Sequence, residues 1–141
     1  MIRVVAGIIE QRHRLLICQR RQDQAFAGKW EFPGGKIFPS ETPRAALVRE
    51  LREELAVETK IGPEIFRIRH QYSEMENRVE ISFFWAAVNC GTPRNVCFQQ
   101  IRWVTRHTLP RYEFLAADRP LVNLLRRGFA PIRCWSRIGG Q

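Results

Sequence analysis

Four glutamates in one short stretch are the residues of this chain best suited to chemistry. They are Glu41, Glu50, Glu53 and Glu54, with Arg49 among them. At 3.6 residues per helical turn, the last three glutamates would lie on one face of a helix. Like charges at this spacing destabilise a helix by about 0.2–0.5 kcal/mol per pair, so a cation is expected to offset them. Because Mg²⁺ prefers carboxylate and carbonyl oxygens, the stretch predicts a divalent-cation site.

The helix that must carry these glutamates has its own sequence signals. Ser40 or Thr42 can cap its first turn, and Pro43 suits the first helical position. An apolar stripe along the helix is formed by Val48, Leu51 and Leu55. A second interpretation stays open, because arginines that interleave with glutamates are also typical of a solvated, salt-bridged surface helix.

A glycine loop precedes the helix and favours the functional interpretation. Residues 30–35 read Trp-Glu-Phe-Pro-Gly-Gly, which predicts a strand that ends in a tight loop. Glycines allow backbone carbonyls to approach an ion or a phosphate closely. The loop and the glutamate helix would then meet on two sides of one site.

The rest of the chain alternates between strand and helix patterns. Two strands around a polar turn reach residue 20, and further strands are predicted at 65–71, 79–88 and 101–105. A second helix is predicted over 119–127. Its buried face would consist of Leu121, Val122, Leu124 and Leu125. Strands clustered around two helices favour a mixed sheet between helices.

Residues 35–57 resemble the Nudix box, G-x5-E-x7-R-E-U-x-E-E-x-G-U with U aliphatic. Eight of its nine fixed positions are present at the required spacing: Gly35, Glu41, Arg49, Glu50, Leu51, Glu53, Glu54 and Val57. Ala56 stands where the family usually has glycine, at a position expected to end the helix. A weaker resemblance to MutT-like members extends from the first strand to Leu125. The carboxylate that these members commonly carry before the strand of Trp103 is absent from residues 95–100.

The resemblance implies an α/β fold, the Nudix α/β/α sandwich with a mixed β-sheet between helices. It also implies hydrolysis of a nucleotide pyrophosphate linkage with Mg²⁺, for which Mn²⁺ could substitute. On the matching positions, Glu50, Glu53 and Glu54 would hold one to three ions together with the Gly34 carbonyl. Glu53 or Glu54 would act as the base. Arg49 would orient the glutamates rather than touch the substrate.

Substrate contacts follow from the same resemblance. Residues 29–36 resemble the MutT-type enzymes that remove damaged nucleotides, and residues 115–120 resemble the segment in which those enzymes read the base. The implied substrate-binding residues are Arg21, Phe32, Lys36, Arg78 and Asp118. The leading substrate is 8-oxo-dGTP, and a pyrimidine triphosphate such as CTP or a modified dCTP is the runner-up. Asp118 could instead cap the last helix, Phe32 could belong to the core, and the two arginines could be solvated.

Length and composition limit the class of protein. The 141 residues predict one domain, residues 1–130, and a tail, residues 131–141, that carries few structural signals and could be disordered. No apolar run reaches the roughly 20 residues needed to span a membrane, and the start lacks the pattern of an export signal. The four cysteines show no metal spacing, so we expect reduced thiols in a cytoplasmic protein.

A formal net charge of +9 suggests a polyanionic partner. Steering of nucleotide phosphates would explain it, and so would an arginine-rich composition that only solubilises. The same fold serves as a non-hydrolysing base-recognition module in some DNA glycosylases, so a binding protein stays open as another class. Such modules tend to lose the catalytic glutamates, which this chain keeps. We therefore expect a nucleoside triphosphate as partner, with no stable nucleic-acid binding and no membrane contact; the oligomeric state is not predicted.

Overall fold

The computed structural model describes residues 1–73 and 77–128. The tail predicted for residues 131–141 lies outside these residues. The described chain contains seven strands, two α-helices and two short 3₁₀ helices. In chain order they are β1 (Ile2–Gln11), β2 (Arg14–Gln19), β3 (Trp30–Glu31), β4 (Gly34–Lys36), α1 (Pro43–Leu55), β5 (Glu58–His70), β6 (Val79–Cys90), β7 (Gln100–Thr105), the 3₁₀ helices Arg106–Arg111 and Ala116–Asp118, and α2 (Arg119–Arg126).

The strands form one mixed sheet, with strand order β3-β2-β1-β6-β5. β1 and β6 run parallel at its centre, paired from Ile2 opposite Val79 to Ile9 opposite Ala86. β5 is antiparallel to β6, and β2 is antiparallel to the far end of β1. β4 pairs with the first half of β1, and β7 pairs with β2. Because β1 contacts three other strands, it fixes the glycine loop, the hairpin and the sheet centre relative to one another.

Side chains alternate across the central strands and build a core on each face of the sheet. On one face Val5 and Ile9 of β1 pack with the buried side of α1. On the other face Ala6 and Ile8 pack in a cluster that includes α2 and the segment before it. The sheet therefore lies between helices, and the predicted α/β/α sandwich with a mixed sheet is confirmed. Within the described residues, no helix combines the length and the apolar character needed to cross a membrane.

The structure agrees with the predicted start of α1 and corrects one residue of its buried stripe. Thr42, not Ser40, caps the helix, since its side chain accepts a hydrogen bond from the Ala45 N–H. The buried stripe does not include Val48, which is only half-buried. Instead it runs through Ala46, Leu47, Leu51 and Leu55. The error came from choosing Val48 over Leu47: Leu47 is four residues before Leu51 and shares its fully buried face, whereas Val48 lies about 100° further round the helix, at the edge of that face.

The end of α1 explains a second correction. Ala56 adopts the left-handed conformation with φ of 57°, and its N–H donates to the Arg52 carbonyl, so it ends the helix as glycine would. β5 consequently starts at Glu58, seven residues before the predicted start of 65. Gly62 and Pro63 had argued against a strand there. The structure accommodates them between shifts of register in the pairing of β5 with β6, where a proline without an N–H is tolerated.

Candidate active site

The glutamate face of α1 lies directly against β4. The Gly34 N–H donates to Glu54 Oε1 at 3.0 Å. A Cβ atom added to Gly35 would overlap the carboxylate of Glu50. A side chain at this position would therefore displace Glu50, which explains why a glycine is needed opposite the helix. The predicted loop needs a correction, because Gly34 and Gly35 belong to strand β4, which pairs with β1. This strand and the glutamates meet on two sides of one site.

Arg49 connects most of the remaining carboxylates. Its guanidinium donates to both oxygens of Glu41, at 2.6 and 2.9 Å, and to Glu50 Oε1 at 2.9 Å. It also donates to the Lys36 carbonyl at 3.0 Å and lies 3.4 Å from Glu53. Hydrogen bonding to Arg49 lowers the pKa of Glu41 to about 2, so Glu41 stays ionised. This arginine holds the glutamates in place from the side of the helix.

Glu54 has a different environment from the other glutamates. Burial, followed by the negative charges of Glu50 and Glu31, raises the pKa of Glu54 to about 9. The Gly34 N–H is its side-chain hydrogen-bond partner, and no lysine or arginine of the described chain forms an ion pair with it. The ionised form of a buried carboxylate next to two other carboxylates is unfavourable unless a cation compensates its charge.

These residues fit a divalent cation of the magnesium type. The donors are hard carboxylate oxygens, and a cation beside Glu54 would offset the burial and the neighbouring negative charges that raise its pKa. In residues 1–73 and 77–128, no three His, Cys, Asp or Glu side chains are already arranged as a metal cage. Glu53, which the sequence predicts as a further ligand, has a side chain that is 57% exposed and lies 3.4 Å from Arg49.

A cavity of about 310 Å³ extends from Glu54 into the sheet. Its walls combine apolar side chains with a few polar groups, as expected of a small-molecule site. Glu54, Gly35 and Lys36 lie at one end, and the deeply buried Asp118 also lines it. The apolar walls include Val4, Ala6, Phe26, Phe32, Tyr72, Val79, Ile81 and Leu115. The cavity thus joins the glutamate site to the segment that the sequence predicted would read a base.

Asp118 is one of the few buried ionisable groups in the described chain, with only 3% of its surface exposed. It stands just before α2, but its side chain makes no capping hydrogen bond to the helix. Instead Asp118 Oδ2 accepts a hydrogen bond from the Phe32 N–H at 3.4 Å. Burial, and then the charge of Glu31, raises the pKa of Asp118 well above its ordinary value. The helix-cap alternative is therefore wrong, and Asp118 faces the cavity as a carboxyl biased towards its neutral form.

Of the other predicted substrate residues, some line the cavity and others do not. Phe32 is buried and packs against Phe114 at 5.3 Å between ring centres, so it belongs to the core as well as to the cavity wall. Lys36 is exposed at the cavity. Arg78 is exposed beside the undescribed residues 74–76 and is not among the described residues that line the cavity.

Arg21 is exposed and is not among the described residues that line the cavity. It donates to Asp23 at 3.0 Å and to the carbonyl of Cys97, a residue of the cavity lining, at 3.0 Å. Its neighbour Arg20 lines the cavity instead and donates to Glu31 at 3.1 and 3.3 Å. Successive side chains of an extended chain point in opposite directions, which is why Arg20 lines the cavity and Arg21 does not; a substrate contact by Arg21 stays a prediction.

Glu31 is the site residue that the sequence prediction missed. Its side chain lines the cavity, and burial raises its pKa although Arg20 opposes the shift. The signal was a charged residue within the apolar run of residues 30–33, since an ionisable group inside a buried strand needs a partner or a function.

Cys97 lies near Glu54, in the segment before β7 in which the resemblance to MutT-like members implied a carboxylate. Burial and the charge of Glu54 raise the pKa of its thiol to about 11, which keeps it neutral.

Known proteins are similar to this chain both in sequence and in fold. The sequence model of the NUDIX domain family matches residues 4–124. A CTP pyrophosphohydrolase of Escherichia coli is 39% identical over 124 residues, which cover 87% of this chain and 90% of the relative. An 8-oxo-dGTP diphosphatase of Haemophilus influenzae is 38% identical, with 89% and 91% covered. The solution structure of the E. coli ORF135 protein superposes with a TM-score of 0.77 at 35% identity, over 90% and 89% of the two chains. With this match over most of its length, the chain belongs to the Nudix hydrolase family, among its MutT-like members.

Proposed function

We propose that this protein is a Mg²⁺-dependent nucleoside triphosphate pyrophosphohydrolase that converts 8-oxo-dGTP to the monophosphate and pyrophosphate. The observation that carries the proposal is the cavity that links the glutamate face of α1 to the buried Asp118. A nucleotide with its base at Asp118 would present its phosphates to the glutamates. Mn²⁺ is expected to replace Mg²⁺, because it accepts the same oxygen donors.

In the proposed reaction each carboxylate has a distinct role. Glu50 and Glu54, together with Glu53 and the Gly34 carbonyl, would hold the metal, which neutralises the phosphates and lowers the pKa of the attacking water. Glu53 is the better placed of the two candidate bases, because its exposed carboxylate can pass a proton to solvent. Arg49 positions Glu50 and Glu53 and does not contact the phosphates in this scheme.

The neutral form of Asp118 supports recognition of an oxidised guanine. A neutral carboxyl offers one acceptor and one donor side by side. Guanine presents two acceptors, N7 and O6, on its major-groove edge, whereas oxidation at C8 puts a hydrogen on N7. The edge of 8-oxoguanine is then a donor beside an acceptor, which matches the neutral carboxyl. An undamaged guanine would place its acceptor N7 against the Asp118 carbonyl, which is also an acceptor, so that hydrogen bond would be lost.

The same carboxyl supports the runner-up substrate, CTP or a modified dCTP. Cytosine presents an amino donor at N4 beside the acceptor N3, so it also pairs with a neutral carboxyl. The similarity to a protein named CTP pyrophosphohydrolase favours this second candidate. The volume of about 310 Å³ admits either a purine or a pyrimidine, so size alone does not separate them.

A nucleotide panel tests the proposal. Release of pyrophosphate with Mg²⁺ is measured for 8-oxo-dGTP, dGTP, CTP, dCTP and 5-methyl-dCTP, and the products are identified by chromatography. We expect 8-oxo-dGTP to have the highest kcat/KM and to yield a monophosphate. A higher value for a cytosine nucleotide would overturn the guanine assignment but not the chemistry. If no nucleotide releases pyrophosphate with either Mg²⁺ or Mn²⁺, the hydrolase proposal is wrong and a binding module is the remaining function.

A further inference from the structure

Most of the positive charge of this chain is not used by the catalytic cavity. Among the described residues that line the cavity, Arg20 and Lys36 are the cationic side chains. Arg20 is already paired with Glu31 at 3.1 Å. Phosphate steering by the cavity walls therefore accounts for little of the net charge of +9. The arginines near the two ends of the chain must therefore bind a partner outside the cavity or serve only to keep the protein soluble.

The turn between β1 and β2 is the first sign of a second charged site. Its two central residues, Arg12 and His13, both have positive φ, 50° and 65°. Such hairpin turns favour Asn-Gly, because left-handed backbone costs other residues about 1 kcal/mol or more each. The turn thus holds two exposed basic side chains in a conformation that their residue types disfavour. Strain of this kind is often retained at functional positions.

The end of α2 lies beside this turn. Arg106 donates to both oxygens of Glu10 at 2.9 and 3.0 Å, and also lies 3.5 Å from the Leu125 carbonyl. One guanidinium therefore links the end of β1 to the last turn of α2. Arg14 is paired in register with Thr105, so the start of the 3₁₀ helix joins the same end of the molecule. We call this surface the cationic pole; its exposed basic residues are Arg12, His13, Arg14, His107, Arg126 and Arg127.

The cationic pole has no carboxylate left to balance it. Glu10 is the one acidic residue in the segments 10–14, 105–107 and 125–128, and Arg106 already binds it. None of the six basic residues of the cationic pole forms an ion pair within the described chain. The pole is also distant from the catalytic site, because Ala6, opposite Gly34, and Gln11 are five residues apart on β1, about 17 Å.

We propose that the cationic pole binds the phosphate backbone of double-stranded nucleic acid, independently of base sequence. Clustered arginines, whose one acidic neighbour in these segments is already bound by Arg106, provide the charge complementarity for a polyanion. The large apolar side chains that are exposed in the described chain, Met1, Phe38 and Val96, all lie outside the pole. Within residues 1–73 and 77–128, the pole therefore offers neither the apolar face that a membrane surface requires nor the aromatic platforms that single strands require. This proposal departs from the sequence-based expectation of no stable nucleic-acid binding.

The test is fluorescence anisotropy with a labelled duplex of about 20 base pairs, at about 50 and 150 mM KCl. With four phosphates contacted, the affinity of the wild-type chain should fall about 50-fold between the two salt concentrations. R12E/R14E and, separately, R126E/R127E should weaken binding at least about tenfold and reduce the salt dependence. R67E/R111E makes the same change of net charge outside the pole and should bind nearly as wild type does. Circular dichroism and the melting temperature, measured in parallel, should show that all three variants are folded.

Several results would overturn the proposal. An equal loss of binding in R67E/R111E would mean that net charge alone attracts the duplex. Displacement of the duplex by excess nucleotide with Mn²⁺ would place it at the catalytic cavity. Equally tight binding of vesicles that contain anionic lipid, lost in the same pole variants, would assign the pole to a membrane surface. Because binding is measured without turnover, a failure of the proposed hydrolysis would not affect any of these outcomes.

Discussion

Replacement of Asp118 by asparagine separates the two ways in which this residue could read a base. An asparagine offers one acceptor and one donor, as a neutral carboxyl does, whereas an ionised carboxylate offers only acceptors. Because burial raises the pKa of Asp118, we expect Asp118→Asn to keep kcat/KM for 8-oxo-dGTP within about threefold of the wild-type value, corresponding to less than 1 kcal/mol. It should also keep the hydrogen bond from the Phe32 N–H.

Asp118→Ala should behave differently, because it removes both groups. An unpaired partner in a buried site costs about 1–3 kcal/mol, so kcat/KM for 8-oxo-dGTP should fall about 5- to 150-fold. The effect on dGTP should be much smaller. The alanine also leaves the Phe32 N–H without its acceptor, so the free energy of unfolding should fall by about 1–3 kcal/mol. Asp23→Asn, at an exposed loop carboxylate, is the matched control and should change neither quantity.

The assay is steady-state release of pyrophosphate from 8-oxo-dGTP and dGTP, together with urea unfolding. Equal losses in Asp118→Asn and Asp118→Ala would refute the neutral carboxyl and favour an ionised one. An unchanged ratio of kcat/KM between the two nucleotides in Asp118→Ala would remove Asp118 from the specificity site. The pH dependence gives an independent check. Because folding raises the pKa of the Asp118 carboxyl, the folded protein should lose stability as pH rises from the unfolded-state pKa of about 3.9 towards the folded-state pKa. Asp118→Asn should remove this contribution to the decrease of stability with pH.

Three further changes test the glutamate site. Glu53→Gln should lower kcat at least about 100-fold without unfolding the protein, whereas Glu58→Gln, in an exposed pair with Arg52, should have little effect; the comparison uses kcat and melting temperature. Arg49→Lys loses the two-pronged contact with Glu41 and should weaken Mn²⁺ binding about 10- to 100-fold, as measured by calorimetry; an unchanged affinity would contradict its positioning role. Gly35→Ala should displace the Glu50 carboxylate and lower kcat more than it lowers melting temperature.

Local signals were sufficient to predict the helix that carries the site. Thr42 and Pro43 mark the start of α1, and the glutamate spacing fixes its functional face. The end of α1 was also predicted, since Ala56 takes the left-handed conformation expected of glycine there. β5 was predicted too short because Gly62 and Pro63 look like a loop. Only the pairing with β6 shows that a bulge contains them.

The cavity could be predicted only in part, because it depends on contacts between distant segments. Phe32 and Asp118 are 86 residues apart, and no local pattern indicates that they share a hydrogen bond. The choice between Arg20 and Arg21 depends on which face of an extended segment is turned inward, which the fold decides. Glu31 was missed because its neighbours dominate the strand pattern, although a buried charge was the available signal.

The central claim is that the glutamates of α1 bind the divalent cation on which turnover depends. Glu54→Gln tests it most directly, because the variant keeps the size of the side chain and removes its ability to ionise. Mn²⁺ binding is measured by calorimetry in two buffers of different ionisation enthalpy, and pyrophosphate release is measured on the same samples. Since the pKa of Glu54 is about 9 without metal, the wild-type protein should release a proton on binding at neutral pH, and its affinity should rise with pH. Glu54→Gln should lose this proton release, bind Mn²⁺ more weakly and turn over at least about 100-fold more slowly. Wild-type affinity, proton release and turnover in the variant would contradict the claim.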